Sequence, residues 1–210
     1  MNKKIVAVYG GSFNPPTIAH ERISKDILSL DNVDKFIYLP VGDKYEKPEL
    51  ISSFHRLNML EIMVNEIKKS GINSIEVSDL EVKSKKLLYT IDSLRAIKDI
   101  YKDKDIAFVM GTDNLIDLEN WEKPIELLEE FYFIVIERKN QNVEEILERF
   151  KFLKKYTNKF IILKKTSYEA VNSTFIRENI NNKSLIKDYV NKEVLKYINI
   201  NNLYGGTKYE

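Results

Sequence analysis

Residues 5–20 read IVAVYGGSFNPPTIAH, and the fold is decided in this stretch. Five β-prone apolar residues, 5–9, run into Gly10 and Gly11. After Pro15 and Pro16 the apolar spacing changes to that of an amphipathic helix over about 19–30. Strand, glycine-bearing loop and helix in that order make the first half of a βαβ unit. KFIYLP at 35–40 supplies its second strand and predicts a parallel pair.

The same rhythm continues along the chain. Phe54, Leu57, Leu60, Val64 and Ile67 recur at helical spacing over 53–69, and SIEV at 74–77 reads as a short strand. Ile91, Leu94, Ile97 and Ile100 repeat the helical pattern over 90–101, and IAFVM at 106–110 is a strand stopped by Gly111. Strands over 131–137 and 160–163 flank a helix over about 143–154. From Ser173 onward only helix is predicted, over about 173–179 and 186–198. Alternating strands and helices predict an α/β fold around a mostly parallel sheet, with a small helical C-terminal segment. Residues 1–204 read as a single domain and 205–210 as a loose tail.

Composition narrows the chemistry. The 210 residues carry 33 Lys and Arg against 32 Asp and Glu, so a net charge of +1 gives no broad basic field for nucleic acid. With no Cys there is no disulfide, thiolate metal site or cysteine nucleophile, and two His make a multi-histidine metal site an unpromising reading. No metal-ligating protein cluster is expected. The N-terminal apolar run is too short for a secretory signal, and no stretch approaches the roughly 20 apolar residues that span a bilayer. A cytoplasmic protein without a membrane partner is expected.

In a parallel α/β sheet, ligands bind beyond the carboxyl ends of the strands. The segments that follow the predicted strands are 10–20, 41–48, 79–90, 111–121 and 137–139. The first is the richest: two glycines for close backbone approach, then Ser12 and Phe13, then Thr17 and His20 on one face of a helix start. Unpaired N–H groups and the positive end of the helix make this a phosphate site. It is neither GxxxxGK[ST] nor GxGxxG. The same residues also read as a plain turn leading into an ordinary helix.

The stretch GSFNPPTIAH at 11–20 resembles the (H/T)xGH signature of the nucleotidyltransferase α/β-phosphodiesterase superfamily. Asn172 to Arg177, NSTFIR, resembles its ISSTxIR motif near the other end. Between them, LYTIDSL at 88–94 is similar to the SYTIDTL segment of bacterial nicotinate-nucleotide adenylyltransferases. GTDNL at 111–115 with Trp121 is similar to their GADNL…W, and EKP at 46–48 and HRL at 55–57 to their HKP and HRLxML. The resemblance covers nearly the whole chain in family order. It implies a Rossmann-like, doubly wound sheet and the transfer of an adenylyl group from ATP to nicotinate mononucleotide, giving deamido-NAD and pyrophosphate in NAD biosynthesis.

The resemblance also implies roles. His20, with Thr17 beside it, and Arg177 would carry catalysis, His20 by donating to phosphate oxygens on which charge builds up. Gly10, Gly11, Ser12, Phe13, His20, Gly111 and Asp113 would bind ATP, with Gly10, Gly11 and Ser12 at the α-phosphate and Asp113 at the ribose. Ser173, Thr174 and Arg177 would hold the β and γ phosphates. Lys47, Tyr89, Thr90 and Trp121 would bind the mononucleotide, with Trp121 on its ring. Mg²⁺ would be held mostly by phosphates and water. The implied partners are therefore small molecules, and the sequence sets no oligomeric state.

Each role has a structural alternative. Trp121 reads equally as a core cover, Thr90 and Asp113 as helix N-caps, His55 as a structural residue, and Lys83, Lys85 and Lys86 as a solvated loop. The chain also departs from the family pattern: Thr17 stands at the first histidine of HxGH, Ala19 at its glycine, and Asn14 where aspartate is usual. Thr at that first position occurs in phosphopantetheine adenylyltransferases. Nicotinamide mononucleotide, phosphopantetheine or another phosphate ester therefore stay open as acceptors, as does a nucleotide-binding module without turnover.

Overall fold

Six strands, all parallel, form one sheet in the order β3-β2-β1-β4-β5-β6 in the computed structural model, which describes residues 3–138, 141–164 and 172–205. They are β1 (Ile5–Gly11), β2 (Val33–Pro40), β3 (Ile75–Val77), β4 (Asp105–Gly111), β5 (Tyr132–Ile136) and β6 (Phe160–Leu163). The order reverses at β1, which pairs with β2 on one side and β4 on the other. That reversal opens a crevice at the carboxyl ends of β1 and β4, the place where such sheets bind ligands. Gly10 and Gly11 are the last residues of β1, paired with Leu39 and Pro40, so the strand runs two residues further than the apolar stretch that predicts it.

Strand periodicity divides the core into two layers. Ile5 and Ala7 of β1, Phe36 and Tyr38 of β2 and Ile134 of β5 face one layer, which is covered by α1 (Ile18–Leu28), α2 (Ser53–Lys69) and the C-terminal helices. Val6, Val8, Ile37, Leu39, Phe108 and Phe133 face the other, covered by α3 (Thr90–Ile100), α4 (Thr112–Asp117), α5 (Pro124–Glu130) and α6 (Val143–Arg149). Both faces of the sheet are dry, which is why its strands are continuous apolar runs rather than alternating ones.

Several helices differ from the pattern read in the sequence. The helix predicted over 143–154 is two, α6 and α7 (Lys151–Lys154), because Phe150 adopts an extended backbone and packs against the second core layer. The C-terminal segment is three helices, α8 (Ser173–Glu178), α9 (Lys183–Ile186) and α10 (Lys192–Ile200). Asn191 separates the last two, its side chain accepting from the Glu193 N–H as an N-cap. Ile176, Ile186, Val194 and Ile198 bury these helices against the first layer. Of the predicted tail only Gly205 falls within the described residues, and Lys139 lies outside them. Among the described residues no helix is long and apolar enough to cross a membrane.

Candidate active site

The helix that follows β1 begins with a reciprocal cap. Thr17 is the N-cap of α1 and is only 2% exposed; the His20 N–H faces its hydroxyl at 3.4 Å. In return the Thr17 main-chain N–H donates to Nδ1 of His20 at 2.9 Å, and the Thr17 hydroxyl lies 2.9 Å from the same nitrogen. A main-chain N–H can only donate, so Nδ1 is an acceptor and the ring proton belongs on Nε2. The Tyr38 hydroxyl donates to the His20 carbonyl at 2.8 Å. The ring is wedged beside Phe13, 5.1 Å between centroids, and Tyr9, 5.9 Å. Burial among these rings lowers the His20 pKa to about 4, so near neutral pH it is an uncharged Nε2–H donor.

Phe13 has turned inward. It is 3% exposed, its ring sits behind Gly11, and a Cβ there would stand 3.2 Å from Phe13 Cζ. Phe13, expected at the ATP site, does not line the cavity between β1 and β4. At Gly10 a Cβ would be 2.9 Å from the Phe108 ring of β4, so the ring packs over this position where a side chain would displace it.

A cavity of about 370 Å³ opens at the crevice between β1 and β4. Gly10, Gly11 and Ser12 form one wall, and Tyr89, Thr90 and Trp121 contribute to the others, so six of the residues singled out in the sequence meet here. Trp121 also packs edge-on against Phe108 at 5.8 Å and serves as both core cover and cavity wall. Tyr89, not Thr90, is the N-cap of α3; Thr90 is the first helical residue. Likewise Gly111 caps α4, and Asp113 lies in its first turn. Asp113 pairs with Arg138 at 3.4 Å beside the end of β4, and a Cβ on Gly111 would come within 2.6 Å of the Asp113 carboxylate. Lys47 is exposed and does not line the cavity.

The second predicted motif meets the first. Ser173 Oγ donates to the Pro15 carbonyl at 2.8 Å, and Arg177 Nη1 donates to the Asn14 carbonyl at 3.0 Å. Arg177 Nη2 reaches Thr174 Oγ1 at 3.3 Å and the Glu49 carboxylate at 3.0 Å. Residues more than 150 positions apart are thereby joined, and the start of α8 is tied to the loop that follows β1.

Sequence reading does not find the groups that hold the loops. Arg56 is fully buried, and its guanidinium donates to the carbonyls of Ile51, Ser12 and Val41 at 3.0, 3.0 and 2.6 Å. It fastens the loops after β1 and β2 to the start of α2. Glu81, another cavity-lining residue, accepts from Ser93 at 2.7 Å, and burial raises its carboxyl pKa. His55 is structural: its Nδ1 is 2.9 Å from the Tyr197 hydroxyl, which ties α2 to α10.

The family model described as cytidylyltransferase-like matches residues 8–179. A protein of Fusobacterium nucleatum named "Probable nicotinate-nucleotide adenylyltransferase" is 37% identical over 195 residues, 92% of this chain and 96% of that one. One of the same name from Clostridium acetobutylicum is 32% identical over 205 residues, 97% of this chain and all of that one. Among solved structures, the Plasmodium falciparum nicotinic acid mononucleotide adenylyltransferase complexed with NaAD superimposes with a TM-score of 0.80 at 29% identity, covering 97% of this chain and 98% of that one. The same enzyme complexed with APC gives 0.79 at 28% identity over the same shares. With the strand order, the capped histidine and the two sequence motifs in contact, the chain belongs to the cytidylyltransferase-like family and, within it, to the nicotinate-nucleotide adenylyltransferases.

Proposed function

We propose that the protein transfers the adenylyl group of ATP to nicotinate mononucleotide, forming deamido-NAD and releasing pyrophosphate. The observation that carries this reading is the meeting of the glycine edge of β1, the start of α3 and Trp121 around one cavity; in the first turn of the helix that follows β1, His20 is fixed as a neutral donor. A phosphate oxygen of the mononucleotide attacks the α-phosphorus of ATP, the bond to the bridging oxygen breaks, and pyrophosphate takes the electron pair. Nothing covalent is required of the protein, which contributes orientation and donors for the developing negative charge.

In this reading the N–H groups of Gly11 and Ser12 and the Nε2–H of His20 serve the α-phosphate. Being neutral, His20 offers a hydrogen bond that strengthens as charge accumulates. Arg177, Ser173 and Thr174 hold the departing pyrophosphate. Trp121 supplies a face for the pyridine ring, and the first turn of α3, from Thr90 onward, supplies N–H groups for its carboxylate. Arg177 and the exposed main-chain N–H groups are donors, so Mg²⁺ would enter on the phosphate oxygens and offset their charge.

Purified protein given ATP with nicotinate mononucleotide, nicotinamide mononucleotide or phosphopantetheine separates the acceptors. Pyrophosphate release fastest with nicotinate mononucleotide is expected. ATP binding with no pyrophosphate from any acceptor would instead establish a module without turnover.

A further inference from the structure

Asn14 is a junction of three distant segments. It is 5% exposed, and both ends of its amide are used: Nδ2 donates to the Glu49 carbonyl at 2.8 Å, and Oδ1 accepts from the Tyr204 hydroxyl at 2.8 Å. Its main-chain carbonyl accepts from Arg177 Nη1. An aspartate could not replace it without loss, since one carboxylate oxygen would face the Glu49 carbonyl with no proton between them.

Tyr204 reaches Asn14 from an unfavourable backbone. It sits in the left-handed region at φ 58, two residues after Asn202 at φ 49, in the turn that follows α10. An aromatic residue holds such a conformation only where its surroundings over-determine it. Here the phenol is buried, which pushes its pKa up, and its hydroxyl has the Asn14 amide oxygen as partner.

Arg177 depends on this junction. Its Nε is buried without a partner among the described residues, and Nη2 meets a hydroxyl and an exposed carboxylate, both of which can move. The Asn14 carbonyl is the buried, fixed acceptor that aims the guanidinium. We infer that Asn14, clamped by Tyr204, is a positioning residue that sets Arg177 for the triphosphate of ATP. The inference rests on the ATP reading above and is independent of the acceptor.

The test is ATP affinity without acceptor, followed by ligand-observed NMR so that millimolar dissociation constants remain measurable. Losing one neutral hydrogen bond in Tyr204→Phe is expected to weaken ATP binding about fivefold, and losing both amide contacts in Asn14→Leu about 20-fold. Nicotinate mononucleotide affinity is expected to stay within about twofold of wild type, and in an Arg177→Gln background Tyr204→Phe is expected to change ATP affinity by less than about twofold. Should Asn14→Leu fail to fold, the Tyr204 pair of measurements decides alone. Unchanged ATP affinity in Tyr204→Phe, or the same loss with and without Arg177, would overturn the inference. A wild-type protein that does not bind ATP would instead remove the functional reading, and this inference with it.

Discussion

The Thr17 main-chain N–H donates to Nδ1 of His20, and this one contact sets both the tautomer and the orientation of the imidazole. Threonine therefore suffices where the family pattern has histidine, because the contact comes from the backbone and the cap from a hydroxyl. With Nδ1 engaged, Nε2–H is the ring donor. Replacing His20 with Ala is expected to lower kcat by a factor on the order of 10² to 10⁴, as for loss of a transition-state donor. Steady-state kinetics with saturating ATP would check it, and near-normal turnover would defeat the role.

The histidine also sets a pH dependence. Its folded pKa of about 4 lies below the ordinary 6.5, so the folded state disfavours the protonated ring. Its contribution to stability is therefore complete above the unfolded value, declines as pH falls below about 6.5, and is fully lost below about 4. Activity should show no inflection near 6.5 from this residue. A proton NMR titration of the ring, assigned with His20→Ala, should give a midpoint near 4; one near 6.5 would contradict the buried neutral donor.

Arg56 presents the opposite case, a buried charge satisfied by three carbonyls, with its nearest carboxylate, Asp43, 3.8 Å away. Burial lowers its pKa, while a guanidinium stays charged inside a protein. Arg56→Met would keep the volume and strand three acceptors. A loss on the order of 3 kcal/mol is expected in urea unfolding, since each abandoned buried group costs about 1–3 kcal/mol and loop relaxation recovers part of it. A loss under about 0.5 kcal/mol would mean that the two loops hold themselves.

Glu49 occupies Arg177 with a carboxylate, the kind of group a phosphate would displace. Its side chain is 73% exposed and its backbone lies at φ 62, so the pair is easily broken. Glu49→Gln is expected to tighten ATP binding by about two- to fivefold, the size of an exposed ion pair. Calorimetric titration would show it, and weaker binding would mean that Glu49 aids the nucleotide rather than competing with it.

The parts of this molecule that repeat or punctuate were legible in its sequence. The apolar runs of β1, β2 and β4 and the glycines that end β1 and β4 point to the crevice where the cavity lies. Tyr89 and Trp121 reach it because they follow strands or open helices, which a linear reading can see. The role of Arg56 could not be read, since its acceptors are carbonyls, identical in every residue, supplied by three positions in two separate loops. Nor could the clamp on Asn14, because Tyr204 takes a glycine-like backbone without being glycine. The break at Phe150 was hidden because Val143, Leu147, Phe150 and Leu153 keep helical spacing across it.

The strand order also has a consequence in time. β1 meets β2 after one short crossover, but it meets β4 only when Asp105 comes alongside Ile5, a far longer loop to close. The crevice between β1 and β4 is thus a seam between an early half and a late half of the folding chain. A nucleotide in that seam finds no grip on a half-built sheet and staples the finished one. Kinetically, ATP should slow unfolding and leave the folding rate nearly untouched, a signature that a chevron recorded with and without nucleotide would display.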